Sequence, residues 1–290
     1  MITFCDSLVE GSRNEAETIF AKNFRRGVAL QNLHSFDTDI KGAIEHSCLG
    51  IAAGMTEFLA RGEIQDLQQL DSYCYYVAGR FGSFLTQLVK FKDKDEKGNP
   101  ISLDSMGAER FGAFLQLVNI AQNVRKDWVE GQRVYFPALL RSPTMAHKYL
   151  VLGAGADARN ARKDALDNIL SRAEEGFQES AAYVSTIPSD LRGYKAFSLM
   201  LLVSGKTMLE KLKEVGAEAV FNGDENLIMP SKNTLQNIYS FFQLIAKKGM
   251  RTDYWLENYA IHPTDFSFEN GKFRSWASEY FSQSTSSLKP

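Results

Sequence analysis

The long interval without proline constrains the fold of this chain more than any other feature. The first proline is Pro100, and the residues before it are rich in Ala, Leu, Glu and Gln, which favour helices. Apolar residues recur at helical spacing through most of the chain. The pattern predicts helices with these approximate bounds: Asp6–Phe24, Asp37–Arg61, Ile64–Lys90, Ser105–Trp128, Asp157–Thr186, Ser189–Val215 and Ser231–Lys248.

The breaks between these helices are short, which indicates one all-α bundle. Arg133-Val-Tyr-Phe136 is the one piece with strand character, and Pro137 ends it. Ser189 is a candidate N-cap, and the segment Phe221–Asn226 has the composition of a turn. We expect a single helical domain over residues 1–250, followed by a tail, 251–290, to which no firm structure is assigned.

Composition excludes several classes of function. The chain has 33 basic and 35 acidic residues, so its net charge of −2 gives no bulk attraction for nucleic acid or anionic membranes. Cys5, Cys48 and Cys74 are scattered, which argues against disulfides and cysteine metal sites and favours a cytoplasmic location. Because no signal peptide or membrane-spanning run is visible, we expect a protein that is soluble or at most peripheral to a membrane.

A stripe of oxygen-bearing side chains marks the predicted helix Ser105–Trp128. Gln116, Asn119, Asn123 and Asp127 follow each other at steps of three, four and four, which place them on one helix face. Oxygen ligands in such a row suit Mg²⁺, an ion usually shared between a few protein groups and a substrate phosphate. The alternative is a set of buried amides that only satisfy one another.

Basic residues follow the stripe. Arg125, Lys126 and Arg133 could hold a diphosphate through charge-assisted hydrogen bonds. They are equally explained as ordinary solvated side chains, and the sequence leaves that choice open.

A second informative segment runs from Tyr73 to Leu85. Gly79 and Gly82 lie on a narrow helix face, and each glycine costs a helix about 1 kcal/mol relative to alanine. The cost could be offset by close helix packing, or by room for a long apolar ligand beside Val77. A tyrosine such as Tyr73 could stabilise a cation or pass a proton there.

These segments resemble the signatures of the squalene/phytoene synthase family. Tyr73-Cys-Tyr-Tyr-Val-Ala-Gly79 is similar to its tyrosine motif, and Gly54–Leu59 is similar to the preceding helix in squalene synthases. Gln116-Leu-Val-Asn-Ile120 with Asp127, followed by Arg133-Val-Tyr-Phe-Pro137, resembles its second aspartate-rich signature.

The resemblance implies a class I isoprenoid-synthase bundle that joins two prenyl diphosphates head to head with Mg²⁺, with or without NADPH. It implies Tyr73 near the reacting centre and a metal site at Asn119, Asn123 and Asp127. The resemblance also implies that the following residues contact the substrate: Val77, Gly79, Gly82, Leu85, Gln116, Arg133 and Lys232. The sequence does not indicate an oligomeric state.

Two departures from the family pattern keep other functions open. Gln122-Asn123 replaces the family's Arg-Asp pair, and the first Asp-x-x-x-Asp motif is not found, so we expect an N-terminally truncated chain with impaired activity. Asp6/Glu10 has the spacing of that motif but the wrong register, and Asp37/Asp39 does not have the spacing. The alternatives are a non-catalytic binding or assembly protein and a terpene cyclase, whose metal stripe has a similar spacing.

Overall fold

Helices make up the regular structure of this chain, for which a computed structural model describes residues 37–61, 64–92, 101–131, 133–137, 153–188, 191–230 and 238. No strand occurs within those ranges, so the all-α prediction is confirmed. The elements are α1 (Thr38–Arg61), α2 (Leu67–Cys74), a π-helical turn (Tyr75–Gly79), α3 (Arg80–Lys92), α4 (Ser105–Gly131), α5 (Ala156–Thr186), α6 (Arg192–Asn222) and α7 (Glu225–Ile228). The expected helix Asp6–Phe24 lies outside the described residues, as does Ser231–Lys248 apart from Ile238.

Helix α4 lies at the centre of the bundle. It packs against α2, the π-helical turn, α3, α5 and α6, while α1 packs against α3 and the π-helical turn. Phe114 of α4 is fully buried and meets Phe177 of α5 edge-on, with 5.8 Å between ring centroids. The predicted polar stripe therefore lies on a helix that contacts most of the other described elements.

Aspartate side chains fix where two of the helices begin. The Asp66 carboxylate accepts a hydrogen bond from the Gln69 backbone N–H at 2.8 Å and caps α2. Asp104 accepts from the Met106 N–H at 3.0 Å and caps α4 in the same way. The sequence therefore sets the start of both helices that carry the family motifs.

The predicted helix Ile64–Lys90 is not continuous. Ile64 and Gln65 precede the helical residues, and the Arg80 backbone N–H bonds back to the Tyr75 carbonyl, closing a π-helical turn. Such a turn inserts one residue into the helix and is frequent at functional sites. Apolar periodicity did not reveal it, since one inserted residue barely disturbs a pattern over several turns.

Helix α6 differs from its prediction at both ends. It begins at Arg192 after Leu191, which makes no side-chain cap, so the helix starts later than the Ser189 cap implied; Ser189 itself lies outside the described residues. It also continues past Val215 to Asn222, across a kink at Gly216 with φ +75°. The predicted turn at Phe221–Asn226 is present, because Gly223 ends α6 in the left-handed conformation.

The strand-like segment Arg133–Phe136 is not a strand. Val134 and Phe136 are buried, and the Phe136 ring lies 5.3 Å from the Phe221 ring of α6. Its alternating pattern therefore reflects an irregular segment that packs across helices rather than beside another strand. The proposed domain limits at residues 1 and 250 stay a prediction.

Candidate active site

The polar stripe runs along one face of α4, as its spacing predicted. The Asn123 side-chain NH₂ donates to the Asn119 side-chain oxygen at 2.8 Å, which places these two residues side by side one turn apart. Asn119 is exposed, Gln116 and Asn123 are half-buried, and Asp127 is buried. The stripe thus passes from solvent at Asn119 to the interior at the C-terminal end of α4.

The segment after α4 folds back onto the end of the stripe. The Arg133 backbone N–H donates to the Asp127 backbone oxygen at 3.3 Å, and the Arg133 side chain is half-buried. The two parts of the resemblance on either side of Gly131 therefore lie together in space.

Tyr73 is the point at which the family-like segments converge. Its side chain is 2% exposed and its ring stacks on Tyr135, with a centroid distance of 4.8 Å and an interplanar angle of 20°. Phe58 of α1 meets the Tyr73 ring edge-on at 5.4 Å, and a Cβ at Gly54 would overlap the Tyr76 ring. Aromatic contacts of this kind stabilise a fixed ring orientation. The tyrosine motif, the α1 segment and the segment after α4 are thus held against one another.

The glycines of α3 and the π-helical turn let two backbones approach closely. A Cβ at Gly82 would lie 2.1 Å from the Ala108 carbonyl oxygen, and one at Gly79 would lie 3.0 Å from the Glu109 carbonyl oxygen. Close helix packing, one of the two explanations for these glycines, is therefore present. A substrate-lining role for Gly79, Gly82, Val77 and the half-buried Leu85 stays a prediction.

Two residues beside the stripe contact segments far along the chain. The Gln122 amide donates to the Met229 sulfur at 2.8 Å, and the Arg125 side chain lies against Gly223, where a Cβ would come within 2.6 Å of it. Lys126 is exposed. The contact between the aliphatic part of Arg125 and Gly223 could not be predicted from spacing, because Gly223 lies in a turn far along the chain.

Several other predictions receive no structural support or lie outside the described residues. Asp37 and Asp39 are exposed at the start of α1, while Asp6/Glu10 and Lys232 are not described. Within the described ranges, no group of three or more His, Cys, Asp or Glu side chains could hold a metal ion. The donors on α4 are oxygen atoms of the kind that Mg²⁺ accepts, but Asp127 is the sole carboxylate of the stripe.

A groove of about 650 Å³ lies between α5 and α6. Lys163, Asp167, Lys213 and Glu218 are among the residues that line it, and none of the predicted site residues does. Buried Cys48 and Cys74 are free thiols, and burial raises the pKa of both, which makes them poor nucleophiles.

Comparison with known proteins decides the family. The sequence profile described as squalene/phytoene synthase matches residues 12–229. The chain belongs to the squalene/phytoene synthase family. In the structure, the segments that resemble the family signatures contact one another at Tyr73 and at the end of α4.

Curated relatives match over a limited part of their length. Squalene synthase ERG9 of Gibberella zeae is 34% identical over 80 residues, which cover 27% of this chain and 17% of that protein. The squalene synthase of Nicotiana benthamiana is 33% identical over 85 residues, which cover 29% of this chain and 19% of that protein. The chain thus aligns with less than a fifth of the length of these two relatives.

Solved structures of this family share the fold over most of the chain. The complex of TcSQS with the ligand BPH1237 has a TM-score of 0.63 at 17% identity and covers 96% of this chain and 88% of that one. A dehydrosqualene synthase in complex with a ligand has a TM-score of 0.57 at 18% identity and covers 89% and 85%. The described part of this chain contains no helix long and apolar enough to cross a membrane.

Proposed function

We propose that this protein condenses two prenyl diphosphates head to head, either farnesyl diphosphate to presqualene diphosphate and squalene or geranylgeranyl diphosphate to phytoene. The observation that supports the proposal is the meeting of three family-like segments at Tyr73, where its ring contacts Phe58 of α1 and Tyr135 of the segment after α4. The proposed squalene branch also agrees with the names of the relatives that match.

Each side chain has a distinct role in the proposal. Asn119, Asn123 and Asp127 offer oxygen atoms to Mg²⁺, which, when bound, neutralises the charge of the departing diphosphate. Gln116 and Arg133 bind the diphosphate oxygens. Tyr73 acts near the reacting carbon. Val77, Gly79, Gly82 and Leu85 line the channel that keeps water from the carbocation.

Reductant use, location and the partner molecules also belong to the proposal. Prenyl diphosphates are the substrates, and NADPH is required only if the product is squalene. A cytoplasmic or membrane-peripheral location fits the net charge of −2 and the apolar substrates.

The test is product formation by the full chain. Purified protein is incubated with Mg²⁺ and radiolabelled farnesyl or geranylgeranyl diphosphate, and linear C30 or C40 products are separated by chromatography. Tyr73→Phe removes one hydroxyl from the stacked ring, and we expect turnover to fall by about 10²-fold or more with little change in melting temperature. Tyr75→Phe is the matched control, since Tyr75 is a half-buried tyrosine of the same motif that faces Tyr76 instead of Tyr135.

A non-catalytic binding role is the second candidate, and Asn123 favours it. An amide there replaces the family's carboxylate, and an amide oxygen brings no negative charge to a metal. If the protein binds the magnesium diphosphate complex but the full chain and its Tyr73→Phe variant both form no product, the binding role replaces the enzymatic one. Cyclic products would instead indicate a terpene cyclase.

A further inference from the structure

Arg80 places its guanidinium group against α1 without a carboxylate to balance the charge. The side chain is half-buried, and its Nη2 atom lies 3.3 Å from the Nε2 atom of His46 on α1. Within the described part of the chain, the Nε–H group of Arg80 is buried without a hydrogen-bond partner, and Arg80 forms no ion pair. Because arginine keeps its charge at physiological pH, such a buried donor calls for a ligand that accepts hydrogen bonds and carries negative charge.

The surface of α1 is shaped to receive this guanidinium group. A Cβ at Gly50, one turn after His46, would overlap the guanidinium atoms of Arg80, so only glycine leaves room for them. Ser47 precedes Gly50 by three residues and therefore lies on the same face of α1. Its side chain is 5% exposed, and its hydroxyl makes no hydrogen bond with another described residue. Arg80, His46 and Ser47 thus form a polar notch between α1 and α3, called here the Arg80 notch.

Neighbouring charges on α1 leave the positive charge of the notch in place. Glu45 precedes His46 in sequence, and its carboxylate pairs with the Lys41 ammonium at 3.7 Å. These two charges balance one another, and the His46 ring brings no negative charge. The Arg80 guanidinium therefore remains uncompensated by the described residues around it.

The notch lies on the side of the tyrosine motif away from α4. Gly79 and Gly82 face the backbone of α4, whereas Arg80 packs on Gly50 and Tyr76 packs on Gly54, both of α1. The notch is therefore separate from the oxygen-bearing stripe of the candidate active site.

We propose that the Arg80 notch binds a small oxyanion, either inorganic phosphate or the phosphate group of an organic molecule. A guanidinium group matches the geometry of phosphate oxygens, and the Ser47 hydroxyl supplies a further donor. The oxyanion provides the negative charge that the described neighbours of Arg80 lack. It also links α1 to the π-helical turn, which the Arg80 backbone N–H closes. This proposal does not depend on the proposed function.

The experiment compares the full chain in inorganic phosphate, in glycerol 3-phosphate and in chloride at equal ionic strength. EDTA is present throughout, so that metal-dependent binding at α4 does not contribute. Melting temperatures and calorimetric dissociation constants are measured, and we expect at least one of the two phosphates to raise the melting temperature by about 2 °C or more relative to chloride. Tighter binding of inorganic phosphate would identify the free ion as the ligand, and tighter binding of glycerol 3-phosphate would identify an organic phosphate. For Arg80→Gln we expect the dissociation constant to increase by about tenfold or more.

Arg110→Gln is the matched control, because Arg110 lies on the surface of α4 with a side chain that is 52% exposed and 3.6 Å from the Glu179 carboxylate. We expect this variant to bind phosphate as the unaltered protein does. If circular dichroism shows that Arg80→Gln disturbs the fold, Ser47→Ala takes its place, with an expected increase in the dissociation constant of about threefold for one lost hydrogen bond. Equal melting temperatures in both phosphates and in chloride would overturn the proposal, as would equal phosphate binding by the unaltered protein and a folded Arg80→Gln variant.

Discussion

At the scale of single residues, a glycine determines how closely α3 and α4 approach. Gly82 of α3 faces the Ala108 carbonyl of α4, and a Cβ there would lie 2.1 Å from that oxygen. Unlike a side chain, the backbone carbonyl cannot move to another rotamer to make room. The two helices must therefore separate to accept a methyl group. The close contact couples α3 to the N-terminal part of α4.

The Gly82→Ala variant tests this coupling. We expect the free energy of unfolding to fall by about 2 kcal/mol or more, because overpacking outweighs the gain in helix propensity. Urea denaturation measures this change in the free energy of unfolding. Gly42→Ala is the control, since nothing lies within 4 Å of a Cβ at that helical position and the substitution should be neutral or stabilising. Equal effects at both positions would show that α3 and α4 are not in close contact.

Sequence reasoning predicted the arrangement of residues along α4 better than the contacts between distant segments. The spacing from Gln116 to Asp127 was sufficient to place the Asn119–Asn123 pair on one face, because helix geometry is local. The stack of Tyr73 on Tyr135 could not be derived in the same way. It depends on an irregular segment that folds back after α4, and no local pattern encodes that path.

At the scale of secondary-structure elements, a box of two lysines and two glutamates joins α5 to α6. Lys206 contacts Glu174 at 2.6 Å and Glu210 at 2.8 Å, and Lys213 contacts the same two carboxylates. The Lys206 ammonium also lies 4.7 Å from the centre of the Phe177 ring. Burial alone would raise the pKa of Glu174 and Glu210, but the lysines outweigh it and hold both values below the ordinary 4.5.

Because its carboxylates have lowered pKa values, we expect this box to stabilise the native state to an extent that depends on pH. A carboxylate whose pKa is lowered by folding stabilises the native state above its ordinary value of 4.5, and the stabilisation is lost as the pH falls through the lower folded value. We therefore expect Glu174→Gln to lower the melting temperature at pH 7 and to lower it progressively less below pH 4.5. Glu214→Gln, at a side chain that is 70% exposed, serves as the control with little effect at either pH.

The kink in α6 is a second feature of element scale, and it explains why the predicted end at Val215 was too early. Gly216 has φ +75° and ψ 175°, and α6 resumes after it as far as Asn222. The apolar pattern indicated a break in the helix after Val215, but it did not indicate that the helix continues beyond Gly216. Arg162 of α5 binds Glu218 through two hydrogen bonds of 2.7 and 3.0 Å, which helps to hold the resumed part of α6 in place.

The Gly216→Ala variant measures the cost of backbone strain without a steric clash of the added methyl group. Nothing lies within 4 Å of a Cβ at this position, so the positive φ is the source of the cost, about 1–2 kcal/mol of unfolding free energy. Gly193→Ala provides the control, because its Cβ would also meet nothing within 4 Å and its φ is not positive. Indistinguishable urea midpoints for the two variants would contradict the kink.

At the scale of the whole molecule, composition and periodicity were sufficient for the fold class, and the family signatures for membership. The order and approximate bounds of the described helices follow from proline placement and apolar spacing. Long-range side-chain contacts could not be predicted from these local patterns. The contacts of Gln122 with Met229 and of Arg125 with Gly223, for example, join segments far apart in sequence. The expected absence of a first aspartate-rich motif concerns segments outside the described residues.

A crystal structure of the full chain with Mg²⁺ and farnesyl thiodiphosphate, which resists cleavage, tests the central claim most directly. We predict that the diphosphate and its metal lie against Asn119, Asn123 and Asp127, with the farnesyl chain extending past Tyr73. A diphosphate bound elsewhere, such as in the groove between α5 and α6, would contradict the account, as would a stripe that makes no contact with metal or ligand.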